Sequence, residues 1–115
     1  MSPKELVTIW VERFNAADHS SIAELYAEDA VNHQMPLEAV IGREAIAAMF
    51  KREFASAEMI CIPIQILEEG EWAVLEWSDP LGLQGCGFFQ VKNDKIVMQR
   101  GYWDRLSFEK LNGLR

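Results

Sequence analysis

The chain has 115 residues, half of them hydrophobic and a quarter charged, with 7 Gly, 4 Pro and a formal net charge of −7. That size fits one domain, residues 1–115, able to bury about 65% of its extended surface without metal or disulfide support. The acidic balance excludes a nucleic-acid partner that would need a basic face, and no stretch reaches the roughly 20 apolar residues that cross a bilayer, so no membrane partner is expected.

Ser2-Pro3-Lys4-Glu5 reads as a capping box with proline at the first helical position. Leu6, Ile9, Trp10, Arg13 and Phe14 follow at helical spacing and predict a core-facing stripe. A second short helix is predicted over about Ser20 to Ala27, capped by Asp18 or Ser21, with Ile22, Leu25 and Tyr26 inward. Ala30 to Met35 reads as a short strand stopped by Pro36, too polar for a central one. Gly42-Arg43-Glu44 opens a third helix whose buried stripe is Ile46, Met49, Phe50 and Phe54. No internal repeat is visible.

The rest alternates with period two: Met59 to Glu68, Trp72 to Asp79, Gly85 to Lys92 and Ile96 to Leu106, punctuated by Glu69-Gly70 and Asn93-Asp94. Short connections imply antiparallel hairpins. In the first of these strands Ile60, Ile62, Ile64 and Ile66 form one apolar face, so both faces are expected to be covered, while Pro63 marks an edge or bulge. Gly85 and Gly87 permit a bend. Helices first and strands afterwards give an α+β fold, with three helices on one face of a curved antiparallel sheet that can wrap a cavity.

Asp79 ends the run Ala73-Val74-Leu75-Glu76-Trp77-Ser78-Asp79, whose alternate positions Ala73, Leu75 and Trp77 are otherwise apolar. A carboxylate on such a face is partnered or useful, and desolvation in a closed pocket would make it a general base near neutral pH. The bland reading is a solvated turn residue, because Pro80 follows. Cys61 and Cys86 lie in strand-like runs, and no basic stretch followed by an apolar one opens the chain, so free thiols in a cytoplasmic protein are expected. With two histidines and no Cys-x-x-Cys or His-x-x-x-His spacing, no metal is expected, and the glycines match no nucleotide-binding fingerprint, so no cofactor is either.

Leu25-Tyr26-Ala27-Glu28-Asp29-Ala30, Met35-Pro36-Leu37, Gly42-Arg43-Glu44-Ala45-Ile46, Gly87-Phe88-Phe89-Gln90-Val91, Lys95-Ile96 and Tyr102-Trp103-Asp104 together resemble the SnoaL-like branch of the nuclear transport factor 2 superfamily. Limonene epoxide hydrolase is the nearest relative by name. The resemblance implies a cone-shaped sheet of the cystatin-like roll type, closed by helices around a pocket for a small apolar molecule. It also implies a homodimer through the outer sheet face. The epoxide hydrolases use an Asp-Arg-Asp set, with a Tyr and an Asn holding water. Carried over by position, one aspartate is Asp79, the arginine is Trp77, the second aspartate is Gly101, the tyrosine is Asn32 and the asparagine is Gln34.

One acid alone cannot serve as both base and acid in a single-step epoxide opening, so ordinary hydrolase activity is disfavoured. The expectation is a cofactor-free isomerase or cyclase in which Asp79 shuttles a proton, with Asn32, Gln34, Trp77, Gln99 and Trp103 lining the substrate site. The alternative is a dimer that binds a ligand or partner without catalysis. An epoxide hydrolase with a rebuilt active site is the distant third. By alternation His33 turns away from the pocket, and Arg100 and Asp104 are expected to form an ion pair at the dimer face.

Overall fold

A computed structural model describes residues 1–114. Helix α1 spans Pro3–Asn15, and its start is the anticipated box: Ser2 Oγ accepts from the Glu5 amide at 3.1 Å while a Glu5 carboxylate oxygen accepts from the Ser2 amide at 3.1 Å. Leu6, Val7, Trp10 and Val11 are its buried residues. The stripe is therefore rotated toward Val7 and Val11, leaving Ile9 and Phe14 at its margin. Helix α2 is shorter than expected, His19–Ala23, capped by Asp18 through the Ser21 amide.

The missing turns of α2 are taken by β1, which runs Tyr26–Gln34. Tyr26, expected on a helix, is thus the first residue of a strand and is fully buried. The strand is also interior to the sheet: β2 (Val40–Ile41) pairs on one side, and β6 (Lys95–Trp103) pairs in parallel on the other. Its polar residues are tolerated there because Asn32 and Gln34 find side-chain partners, as described below. Gly42, with φ of 94°, makes the left-handed turn into α3, Arg43–Ser56, which buries Ile46 and Phe50.

Strands β3 (Ile62–Glu69), β4 (Trp72–Ser78) and β5 (Gln84–Lys92) complete a curved, unclosed six-stranded sheet of order β2-β1-β6-β5-β4-β3. The β3–β4, β4–β5 and β5–β6 pairs are antiparallel. Asn93 and Asp94, at φ of 51° and 60°, form the two-residue link from β5 to β6. Pro63 lies on the edge strand beside a register shift between Pro63 and Gln65.

That bulge corrects one expectation. Ile62 pairs with Ser78 and Ile66 with Leu75, so the isoleucines do not share a face; Ile62 and Ile64 are exposed, and only Ile66 packs on the core. One extra residue inverts the alternation that the sequence suggested. A second correction is at the C-terminus, where β6 stops at Trp103 and a fourth helix, α4, spans Arg105–Leu111. Asp104 caps it, accepting from the Ser107 amide at 2.9 Å and hydroxyl at 2.6 Å. Asp104 is not paired with Arg100.

Helices α1 and α3 cover the concave side of the sheet, where Leu6, Trp10, Ile46 and Phe50 join Ala73, Leu75, Phe89 and Ile96 in one cluster. Fully burying each large apolar side chain contributes about 1.5–3 kcal/mol before entropy is counted. The three ion pairs among the described residues lie at the surface, where such pairs are worth about 0–1 kcal/mol each. Burial, not charge, holds the fold.

Candidate functional site

Residues paired across the strands share a face, so the register fixes what the concave side presents. One row is Asn32, Gln99, Phe89 and Ala73; the next is Gln34, Gly101, Gly87 and Leu75; the third is Trp103, Gly85 and Trp77. The structure therefore brings Asn32, Gln34, Trp77, Gln99 and Trp103 onto one surface, as alternation anticipated. Its glycines have a visible consequence. A Cβ on Gly85 would collide with the Trp77 ring and one on Gly101 with the Gln34 amide, so both side chains lie flat across the sheet where a substituent would have lifted them.

The polar groups of this face form a connected set. Trp103 Nε1 donates to Gln34 Oε1 at 3.0 Å, and Gln34 Nε2 donates to Asn32 Oδ1 at 2.8 Å. On the adjoining side Trp10 Nε1 donates to the Tyr26 hydroxyl at 2.9 Å, which in turn donates to Gln99 Oε1. Burial pushes the Tyr26 phenol far up, so it stays a neutral donor at any physiological pH. Asn32 and Gln99 are 2% and 4% exposed. Polar groups that deep are costly unless bonded.

One donor is left over. Gln99 Nε2 makes no hydrogen bond among the described residues, whereas the only sealed side-chain polar atom without a partner is Arg100 Nε. Gln99 Nε2 is therefore not fully sealed, although the residue is buried. Sequence reasoning placed Gln99 there but missed Tyr26 and Trp10, which fix its orientation.

Asp79 stands just beyond β4 and is half-buried. Its Oδ1 accepts from the Leu81 amide and the Leu83 amide, each at 2.9 Å, and its own amide donates to the Leu83 carbonyl at 2.9 Å. The carboxylate thus folds over the Pro80 turn that it stabilises. Among the described residues its Oδ2 has no partner. His33 lies in the outer-face register opposite Arg100, with Nε2 at 3.1 Å from the Leu37 carbonyl.

Glu53 is a carboxylate that the sequence reading passed over. It follows Ile46, Met49 and Phe50 at helical spacing on α3, and loss of water pushes its carboxyl above the ordinary range. Cys61 and Cys86 are both free, and burial pushes the Cys61 thiol up to about 11, which leaves it an unreactive core group. Among the described residues no three His, Cys, Asp or Glu side chains cluster in a way that could hold a metal. No helix among them is long and apolar enough to cross a membrane. A groove of about 460 Å³ opens at the C-terminal ends of α1 and α3, lined by Asn15, Ala17 and residues 54–60, away from the concave amides.

The profile of the SnoaL-like domain matches residues 7–99. This chain belongs to the SnoaL-like family. Solved structures share its fold. A candidate polyketide cyclase from Pseudomonas putida KT2440 is 20% identical, with a TM-score of 0.87 over 96% of this chain and 98% of that one. An epoxide hydrolase of the limonene type from Mycobacterium tuberculosis is 21% identical, with a TM-score of 0.84 over 97% and 91%. A nuclear transport factor 2-like protein of unknown function from Cytophaga hutchinsonii is 14% identical, with a TM-score of 0.82 over 94% and 95%. No curated protein matches the sequence. At these identities the likeness speaks for the SnoaL-like fold and leaves the chemistry to the site residues.

Proposed function

We propose that this SnoaL-like domain binds a small, largely apolar molecule against its concave face and orients it through neutral amides. The observation that carries this reading is Gln99 Nε2, a buried amide donor with no hydrogen bond among the described residues while Tyr26 holds the same side chain through Oε1. Asn32 and Gln34 fix the adjoining polar surface, and Trp77 and Trp103 supply apolar walls. A binding site built from amides recognises a carbonyl or hydroxyl oxygen, and no cofactor is required for that. Replacing Gln99 by Leu removes the hook, with an expected loss of about tenfold in affinity for a neutral carbonyl dye such as prodan. Equal affinity of the two proteins would sink the reading.

The second reading is a cofactor-free isomerase or cyclase with Asp79 as proton shuttle. The amides of Leu81 and Leu83 that hold Oδ1 stabilise the carboxylate and weigh against a strong base, while Oδ2 is left without a partner among the described residues, which is the one feature that leaves this reading standing. On this reading Asp79→Asn keeps the turn bonds and abolishes turnover of any substrate found, while binding persists. Undiminished turnover would leave the binding role alone. The molecule works in the cytoplasm on either reading.

The outer face supports a homodimer. Trp72, Val74, Phe88 and Tyr102 lie there in one patch, with Leu67 and Tyr102 exposed and the Arg100 guanidinium 4.8 Å from the Trp72 ring centre. A second copy would cover those rings and offer Arg100 Nε an acceptor.

A further inference from the structure

The groove at the C-terminal ends of α1 and α3 lies apart from the concave amides, and the ligand reading above makes no use of it. Its volume of about 460 Å³ falls in the range of small-molecule sites. Phe54, Met59 and Ile60 are its half-buried apolar residues. The Phe54 ring is held in place, stacked at 5.5 Å from the Phe50 ring and edge-on at 5.4 Å from the Phe14 ring. Asn15 is bonded to Cys61 in both directions, at 2.9 Å and 2.7 Å, which ties the end of α1 to the segment before β3. The groove is therefore shaped before any ligand arrives.

Its polar side is rich in acceptors. Two helices end there, and the last carbonyls of a helix have no partner within it and carry the negative end of its dipole. The last turn of α3 holds no basic residue. Arg13, the basic residue in the last turn of α1, is spent on the Ser21 carbonyl at 2.6 Å and lies 3.8 Å from Glu24. Among the polar side chains of the lining, Asn15 donates to the Cys61 carbonyl, Ser56 donates to the Glu53 carbonyl at 3.0 Å, and the exposed Glu58 adds a carboxylate. The amides of residues 58–60 make no hydrogen bond among the described residues, but an anion drawn to them would sit beside Glu58 and two negative helix ends. We propose that this groove binds a small organic cation, an ammonium group on an apolar arm, with the arm against Phe54 and Met59 and the ammonium donating to the helix-end carbonyls and to Glu58. An ammonium carries donors and no acceptor, which matches such a lining, and the Phe54 ring adds cation–π attraction.

An NMR titration of the full chain, read at the backbone amides, tests this with three probes that share a phenyl arm: phenethylamine, phenethyl alcohol and hydrocinnamate. The amine is expected to shift Ala17 and residues 54–60 saturably. The alcohol should bind about tenfold more weakly for want of charge-assisted bonds, and the carboxylate more weakly still. Glu58→Gln, at an exposed position, should weaken the amine several-fold and leave the alcohol unchanged. Ala55→Trp, also exposed and on the groove wall, should block the amine by filling the space. Equal binding of amine and alcohol would reduce the groove to an apolar surface and overturn the proposal. Tighter binding of the carboxylate overturns it too, since the site would then belong to the amides of residues 58–60. Amine shifts that are absent, scattered over the acidic surface, or undiminished in either variant also overturn it. None of these outcomes touches the concave site, which is probed separately with prodan at Gln99.

Discussion

The concave and outer faces of this sheet are built by alternate residues of the same strands, yet they treat polar groups in opposite ways. On the concave side the buried amides of Asn32 and Gln99 and the half-buried amide of Gln34 are tied to Trp103 and to the Trp10–Tyr26 pair, and one donor is spared. On the outer side Arg100 lies over Trp72 and Phe88 with its Nε sealed and unpartnered. A satisfied network fixes side-chain positions and so makes a site that is ready before the ligand arrives. An orphaned cation among half-exposed rings lacks something that a second molecule can supply. The first arrangement suits a small ligand, the second a protein surface.

The largest expected effect comes from cutting the concave network at its centre. Tyr26→Phe leaves Trp10 Nε1 and Gln99 Oε1 without their shared partner, and two buried unsatisfied groups cost about 2–4 kcal/mol together. Urea unfolding should show that loss with an unchanged m-value. A cost near zero would mean that water replaces the hydroxyl and that the network is not dry.

Gly101→Ala comes next. The new methyl group would overlap the Gln34 amide and pull it from Trp103 and Asn32, at about 1–3 kcal/mol for overpacking. Adding Gln34→Ala removes the obstacle, so the double variant should recover part of the loss, and a double-mutant cycle reads the coupling. Additive costs would show that the glycine is not there to let Gln34 lie flat. This position also limits the epoxide hydrolase comparison: an aspartate restored at residue 101 would have to displace the amide that now fills its place.

Much of this was legible from residue order alone, for identifiable reasons. The capping box at Ser2 and the edge position of Pro63 follow from local chemistry, and that Gln99 shares a strand face with Trp103, and Asn32 with Gln34, follows from period two, whereas the choice of that face came from the family resemblance. What escaped depended on contacts distant in sequence. Tyr26 continues the apolar spacing of α2, and only its parallel pairing with Ile96 of β6 draws it into a strand. The β3 bulge leaves no mark in the isoleucine run that it interrupts, and α4 is short enough for its Asp104 cap to pass as the end of a strand. The turn bonds of Asp79 were hinted at by Pro80, but the division between a held Oδ1 and an unpartnered Oδ2 was not.

The outer face is tested by charge. Val74→Lys places a second cation in the row that already holds Arg100 and Phe88, so if the proposed dimer forms through this face it should give way to a monomer in sedimentation velocity while the monomer keeps its fold. Prodan binding should survive in that variant, whereas Gln99→Leu should weaken prodan and leave the association state alone. Crossed effects, with the outer substitution abolishing ligand binding, would mean that the two faces do not act separately.

The smallest expected effect is a pH dependence that belongs to the concave side. Burial raises the Glu53 carboxyl from its ordinary value of 4.5, with Arg52 on the same helix opposing the shift. A group that binds its proton more tightly folded than unfolded contributes stability that is fully present below the unfolded value and is lost as pH rises through the folded one. Wild-type stability should therefore decline relative to Glu53→Gln as pH rises above the ordinary carboxyl value of 4.5, because glutamine never ionises. Thermal unfolding of both proteins over that rise checks the sign. Parallel curves would mean that Glu53 ionises as if in water.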